Sequence, residues 1–249
     1  MSRITMSKIA IIIPSRLDAK RLPNKPLELI NNKEMILHVY DSAKKANIGE
    51  VYVATPDRQI INTVKKHGGI AVETNLKHKT GTDRIFEVFS NTLKKKPEII
   101  INLQGDMPNI NYKDIVALSD YMKKNLCDIG TLAGNLKNKE DNENSNVVKV
   151  VTNEKINIGN FCKTVDFFRL TSGQVNDKTF HHVGIYAFTN KALIRYVMLE
   201  RSKLELERNL EQLRALENGM KINVGLINSL PLSVDTQEDL NKIIKLMRK

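Results

Sequence analysis

The chain of 249 residues has no tryptophan, only 5% aromatic residues and two cysteines, Cys127 and Cys162. The lack of a CxxC pair and of any run of Cys and His at zinc spacing argues against a disulfide framework and a structural zinc site. The scarcity of aromatics argues against the interleaved aromatic and basic surface on which single-stranded nucleic acids stack. Long apolar runs are missing as well. The aliphatic run Ile9 to Ile13 is closed by Pro14 and Arg16, whereas a membrane span needs about 20 apolar residues. The expectation is a cytoplasmic protein with no membrane partner. Nor does the chain contain the glycine-rich phosphate cradles GxGxxG or GxxxxGK[ST], so backbone amides in such loops cannot be its means of holding phosphate.

What is present suits a folded α/β protein. An apolar fraction of 41% and a charged fraction of 27% are ordinary for a globular chain. The length fits one large α/β domain or a domain with an elaborated second half. The formal charge of +11 comes from 39 Lys and Arg against 28 Asp and Glu. Runs such as Lys94 to Lys96 and Lys123-Lys124 sit at apparent helix ends, where cations complement the helix dipole. The excess therefore reads as a lysine-rich solvated surface, and no nucleic-acid partner is inferred from it.

Through the first half, apolar blocks alternate between strand and helix periodicity, the pattern of parallel α/β topology. Ile9 to Ile13, Glu50 to Ala54, Ile70 to Val72, Glu98 to Leu103 and Asp128 to Ala133 read as strands. Ile36, Val39, Tyr40 and Ala43 form a helical stripe, as do Ile60, Ile61 and Val64, and again Ile115, Leu118, Ser119 and Met122. Gly68 and Gly69 end the second of these helices. Leu136 to Asn146 and Leu170 to Lys178 read as polar loops. Between them, Val147 to Thr152 and Ile156 to Lys163, joined by Asn153-Glu154, read as an antiparallel excursion. A strand over Ile222 to Ile227 and a helix with Leu240, Ile243, Ile244 and Met247 on one face complete the chain.

Four cations, Arg16, Lys20, Arg21 and Lys25, follow the first strand within one loop. Side chains there can hold a phosphate chain in place of a glycine-rich cradle. The strand Ile99 to Leu103 ends in Gln104-Gly105-Asp106-Met107-Pro108, which puts the Asp106 carboxylate where open α/β sheets bind ligands. Val234-Asp235-Thr236 places a second aspartate before a helix, where Asp235 or Thr236 could equally be an N-cap. Two bare carboxylates about 4 Å apart would repel by roughly 4 kcal/mol at an effective dielectric near 20, and so would favour a hard cation between them. In Thr80-Gly81-Thr82-Asp83-Arg84, Thr82 or Asp83 would cap a helix, and Arg84 is either an anion contact or a surface residue. His182 and Tyr186, four apart, would share a strand face with Gly184 between them. Leu206, Leu210 and Leu213 read as the buried stripe of one helix over Leu204 to Gly219.

Taken together, these motifs resemble the sugar nucleotidyltransferases, in which an R-x(8)-K loop handles the triphosphate. Arg16 and Lys25 have that spacing. Over about residues 8 to 247 the chain is most similar to the 3-deoxy-manno-octulosonate (Kdo) cytidylyltransferases, with [ST]GT[DE]R, QGDxP, HxGIY, LEQLRxLxxG and VDT following one another along it. The resemblance implies a mostly parallel Rossmann-like sheet of the nucleotide-diphospho-sugar transferase type with an antiparallel substrate and dimerisation lobe. A single domain over 1–249 would comprise a nucleotide-binding part (8–135), a sugar-binding and dimerisation part (147–235) and a C-terminal helix (236–249). CTP and Kdo are the implied substrates, CMP-Kdo for lipopolysaccharide the product, Mg²⁺ the cofactor and a homodimer the assembly. By the same resemblance Pro14, Ser15, Arg16, Lys25 and Arg84 bind nucleotide. Gln104, His182, Tyr186, Glu211 and Gln212 bind the sugar. Asp106 and Asp235 hold the metal and, with Arg16 and Lys25, form the catalytic set.

Three departures from the family pattern stand out: Met107 where many relatives have Glu, Asn24 in RLPNK where they have Gly, and Lys163 where they have Arg. Asn24 can adopt the left-handed backbone at modest cost, while Lys163 keeps the charge and loses the bidentate fork. The rival readings are transfer of CMP to another sugar acid, such as an amino-Kdo or a nonulosonate, a catalytically silent nucleotide-binding module, and a basic nucleic-acid-binding protein.

Overall fold

The structure, a computed structural model, describes residues 8–125, 127–136, 144–169 and 175–248. It divides into two compact units, one reaching Val116 and resuming at Pro231, the other running from Ala117 to Leu230. Most of the polar loop expected over Leu136 to Asn146, and the start of that expected over Leu170 to Lys178, lie outside the described residues.

The first unit opens with β1 (Ile9–Pro14), a two-stranded ribbon of β2 (Leu29–Ile30) and β3 (Lys33–Glu34), and α1 (Met35–Ala46). β4 (Glu50–Thr55), α2 (Arg58–Lys66), β5 (Ile70–Glu73), α3 (Gly81–Glu87) and β6 (Ile99–Leu103) follow. Its strands lie in the order β5-β4-β1-β6, and every pairing among them is parallel. Every residue of β1 and β6 is buried, as expected for parallel strands covered on both faces by helices. The helical stripes account for that cover: Ile36, Val39, Tyr40 and Ala43 of α1 and Ile60, Ile61 and Val64 of α2 are all buried. Each fully buried aliphatic side chain contributes about 1.5–3 kcal/mol.

α4 (Tyr112–Lys124) leads into the second unit, which contains β7 (Ile129–Gly134), β8 (Lys149–Thr152), β9 (Phe161–Phe168) and β10 (Thr179–Thr189). α5 (Asn190–Met198), α6 (Lys203–Arg208), α7 (Gln212–Glu217) and β11 (Ile222–Ile227) complete it. α8 (Gln237–Leu246) then belongs to the first unit again. Here β10 pairs antiparallel with β7 and β8, β9 antiparallel with β11 and β8, and β11 parallel with β7. The fold is therefore mixed α/β, and the expectation of a mostly parallel sheet holds only for the first unit. The difference arises because, among the described residues, β8, β9 and β10 follow one another without the crossover helix that parallel pairing requires.

Three local expectations are corrected. The strand read from Ile156 begins at Phe161, because Gly159 sits in the left-handed region at φ 83° and only Ile158 makes an isolated bridge, to Leu226. The single helix read over Leu204 to Gly219 is two, α6 and α7, broken by Asn209 in the left-handed conformation at φ 52°. That break turns Leu206 out to solvent while Leu210 and Leu213 stay buried. It also brings Glu205 and Arg214 together inside, where the guanidinium donates to both carboxylate oxygens at 2.7 and 2.8 Å. Finally, α3 is capped by Thr80, whose side chain accepts from Asp83 N, and neither Thr82 nor Asp83 is the cap. The helix starts at Gly81, which puts Asp83 in the first turn.

Candidate functional site

The loop after β1 is held by side chains and by one special backbone conformation. Asn24 adopts φ 57°, ψ 17°, the left-handed geometry that asparagine tolerates better than most residues. It thereby delivers Lys25 into a short 3-10 turn at Lys25–Leu27. Leu17 N donates to Asp57 Oδ2 at 2.8 Å. Leu22 is buried with Ile30, Met35, Val234, Leu240 and Ile243, and Ile244 and Met247 pack against that cluster. The apolar face of α8 thus fixes the middle of the cation-bearing loop.

The same packing brings two distant aspartates to one point. Val234 N donates to Asp106 O at 2.9 Å, and Leu232 N donates to Asn109 Oδ1 at 2.9 Å, which ties the segment before α8 to the loop after β6. Lys25 Nζ then donates to Asp106 Oδ2 at 3.2 Å and to Asp235 Oδ1 at 3.0 Å. Arg21 Nη2 pairs with Asp235 Oδ2 at 3.0 Å. Burial disfavours the Lys25 charge, but the two carboxylates more than offset it and hold the ammonium above the ordinary lysine value. Thr236 is the N-cap of α8 and forms a capping box with Asp239. Capping does not require the Asp235 carboxylate, which faces Lys25 and Arg21. Of the two residues that could have capped α8, Thr236 is the one that does so.

Gly105 permits the approach of this loop to β1, since a Cβ there would lie 3.3 Å from both Pro14 O and the Ile36 side chain. Gly81 serves similarly from the other side, at 3.2 Å from Pro14 Cγ. Pro14 and Ser15 are buried, Ser15 N donates to Ala54 O at 2.9 Å, and Ser15 Oγ has no hydrogen-bond partner among the described residues. Arg16 is exposed. Arg84 is buried, and its Nη1 donates to Thr74 Oγ1 at 2.7 Å and to Asn75 O at 3.2 Å. Burial and the charge of Arg16 together hold Arg84 below the ordinary arginine value. Arg16 is thus near enough for its charge to be felt at Arg84, and neighbouring guanidiniums are a natural partner for a polyanion. Gln104 is half-buried and donates to Asn102 Oδ1 at 3.0 Å.

In the second unit His182 is buried and its ring meets Phe167 edge-on at 5.0 Å and Tyr186 at 5.4 Å. Burial, with a smaller push from His181, lowers its imidazole to about 3, so it is neutral. His182 and Tyr186 do share a face, by a route that simple alternation misses. A bulge between Val183 and Tyr186 sets His182 opposite Ala133 and Tyr186 opposite Thr131, so four residues of β10 span two of β7. Burial, aided by the charge of Glu211, raises the Tyr186 phenol. Tyr196 donates from its hydroxyl to Glu211 O at 2.9 Å, and Gln212 is buried beside Leu213.

The sequence model of the cytidylyltransferase family matches residues 10–222. The chain belongs to this family. It is 41% identical over 242 residues to a 3-deoxy-manno-octulosonate cytidylyltransferase of Rhodopseudomonas palustris (strain BisB18), covering 95% of this chain and 96% of that one. It is 38% identical to the enzyme of the same name from Bartonella quintana (strain Toulouse), covering 96% and 98%. A solved structure of a CMP:2-keto-3-deoxy-manno-octonic acid synthetase complexed with CTP superposes with a TM-score of 0.87 at 36% identity, covering 97% of this chain and 98% of that chain. The nucleotidyltransferase resemblance drawn from the motifs is thus borne out at the level of family and fold.

The donor set of this cytidylyltransferase suits a hard divalent cation. Asp106 and Asp235 already direct oxygens onto one positive charge, and Mg²⁺ characteristically takes one or two carboxylates together with substrate phosphates and waters. Among the described residues no group of three or more His, Cys, Asp or Glu could hold a metal without such help. No described helix is long and apolar enough to cross a membrane. Sequence reasoning named Arg21 only as one loop cation and missed its pairing with Asp235. Asp57 and Thr131 were not singled out either, since their roles depend on main-chain contacts to which periodicity is blind.

Proposed function

We propose that this protein transfers the cytidylyl group of CTP to Kdo, giving CMP-Kdo and pyrophosphate. The observation that carries the reading is the convergence of Lys25, Asp106 and Asp235 in a member of the cytidylyltransferase family. In the reaction the anomeric 2-hydroxyl of Kdo attacks the α-phosphorus of CTP. The new P–O bond forms as the bond to the β-phosphate oxygen breaks, and the hydroxyl proton is lost to solvent. Arg16 and Lys25 hold the triphosphate and neutralise the charge that builds on it, with Pro14, Ser15 and Arg84 completing the nucleotide contacts. Positioning and charge neutralisation supply most of the rate. Asp106 and Asp235 would hold Mg²⁺, which when bound neutralises phosphate charge and makes the sugar hydroxyl easier to deprotonate. Gln104, His182, Tyr186, Glu211 and Gln212 are assigned to sugar recognition.

The reading carries with it a homodimer, a cytoplasmic location and a role in supplying the Kdo region of lipopolysaccharide. Met107 lies buried at 3% exposure and Lys163 is exposed; neither contributes to the Lys25, Asp106 and Asp235 contacts on which the reading rests. The deciding experiment is pyrophosphate release from CTP and Mg²⁺, with and without Kdo, with sialic acid as a control. Release that depends on Kdo and stops on addition of EDTA is the expected result. CTP binding with no release for any sugar acid would refute the transferase and leave a nucleotide-binding module.

A further inference from the structure

The bulge of β10 is built around one hydroxyl. Thr131 Oγ1, fully buried on β7, lies 2.7 Å from Ile185 O, 3.3 Å from Val183 O and 2.9 Å from His182 Nε2. A threonine hydroxyl has a single proton and can otherwise only accept. Two oxygens 2.7 Å apart need a proton between them, so Thr131 donates to the Ile185 carbonyl, with Val183 O as a longer branch. Its lone pairs are then what faces His182, and a stable contact at 2.9 Å requires Nε2 to carry the hydrogen and donate. Because the ring is neutral in this buried setting, its one N–H is accounted for. Nδ1 is left as an acceptor, with no hydrogen-bond partner among the described residues.

The geometry points to Thr131 as a positioning residue that locks His182 in the Nε2–H tautomer, presenting Nδ1 as an acceptor that selects a ligand hydroxyl over a ligand carboxylate. The inference rests on the assignment of His182 to sugar recognition, and it adds the chemistry of that contact. A neutral Nδ1 lone pair repels the carboxylate of a sugar acid and accepts from one of its hydroxyls. Thr131 also anchors the carbonyl of the bulge itself, so its loss disturbs the ring's tautomer and its placement together.

The test has a part independent of turnover. Two-bond ¹H–¹⁵N spectra of the uniformly ¹⁵N-labelled protein at pH 7.5, with His182 assigned by the signals lost in His182→Asn, should show the neutral Nε2–H pattern. An Nδ1–H pattern or an imidazolium would overturn the inference whatever the enzyme does. In kinetics, Thr131→Val should raise KM for Kdo roughly ten-fold, the scale of one lost hydrogen bond, with KM for CTP within a factor of two. Thr131→Ser, which restores the hydroxyl, should recover most of it. If Thr131→Val does not fold, the wild-type spectrum and Thr131→Ser still decide, and a serine variant with altered tautomer and an unchanged KM for Kdo would sink the proposal. Absence of any transfer to Kdo beside an intact Nε2–H tautomer would instead count against the proposed function.

Discussion

Replacing Lys25 with methionine removes the cation on which Asp106 and Asp235 converge and keeps most of the side-chain volume. Both carboxylate oxygens touch Lys25 Nζ, at 3.2 and 3.0 Å. They therefore stand at most about 6 Å apart and, at an effective dielectric near 20, repel by roughly 3 kcal/mol once the ammonium is gone. The aspartate side chains are 26% and 38% exposed and Arg21 still reaches Asp235, so screening leaves a net loss of about 1–2 kcal/mol. For a chain of this length that corresponds to a fall in melting temperature of roughly 2–8 °C. The assay is thermal unfolding at pH 7 with and without millimolar Mg²⁺. Lys25→Met should melt lower than wild type in EDTA and recover most of the difference with Mg²⁺, while wild type gains little. Lys25 titrates above its ordinary value of 10.5 when folded, so its contribution is complete below that pH and fades only as pH rises through the folded value. The gap between wild type and variant should therefore be flat from pH 7 to 10. A variant as stable as wild type, or one insensitive to Asp106→Asn in the same background, would refute the reasoning.

The capping and charge roles next to one another separate cleanly. Thr236→Ala, which deletes the N-cap of α8, should cost about 1 kcal/mol and leave Kdo-dependent pyrophosphate release within a few-fold of wild type. Asp235→Asn and Asp106→Asn should reduce that release by about 100-fold or more with an unchanged far-ultraviolet spectrum. Near-normal turnover in either would remove the metal assignment. Glu205→Gln breaks a pair that is 0% exposed on the carboxylate side and 5% on the Arg214 side and should destabilise by about 3–5 kcal/mol, read by urea denaturation. Hydrogen bonds and charge from Arg214 and Arg201 outweigh burial and depress the Glu205 carboxyl below 4.5. Its contribution is thus complete above that value and lost as pH falls through the folded one, so the difference between variant and wild type should shrink in acid.

How far the sequence was legible depended on whether a feature was local. The buried run of β1 and the stripes of α1 and α2 were legible because apolar period alone decides them once a sheet must be covered. Asn24 was legible because few residues accept φ 57°. The break at Asn209 involves the same residue type in the same conformation, yet it was missed: Leu206, Leu210 and Leu213 keep helical spacing across it, and period outweighed one asparagine. The bulge in β10 was invisible because Gly184 reads equally as room for a ligand or as irregular pairing, and only the register against β7 distinguishes them. In the motif containing Asp235, either Asp235 or Thr236 could have capped the helix. What decided it was Asp239, which completes the capping box with Thr236 and leaves Asp235 to Lys25, a residue 210 positions away.

A glycine-rich cradle holds phosphate with amides that the backbone already fixes, whereas a loop of long cationic side chains must first be immobilised at an entropic cost of up to about 2 kcal/mol per lysine or arginine. Here that cost is met before any ligand arrives. Burial of Leu22 against α8 and the Leu17 to Asp57 hydrogen bond fix the loop backbone, and Lys25 and Arg21 are held out by Asp106 and Asp235. The same carboxylates would compete with a phosphate for Lys25, unless something else neutralises them as the phosphate binds. In the proposed reaction, a divalent cation arriving with the triphosphate would do so, exchanging one set of satisfied charges for another. On this argument nucleotide without a divalent cation binds weakly to the wild type, and the penalty diminishes when Asp106 or Asp235 is made neutral. Calorimetric titration of CTP into wild type and Asp235→Asn in EDTA measures it. Tighter metal-free binding by the variant is expected, and weaker binding would show that the carboxylates orient Lys25 for phosphate more than they compete for it.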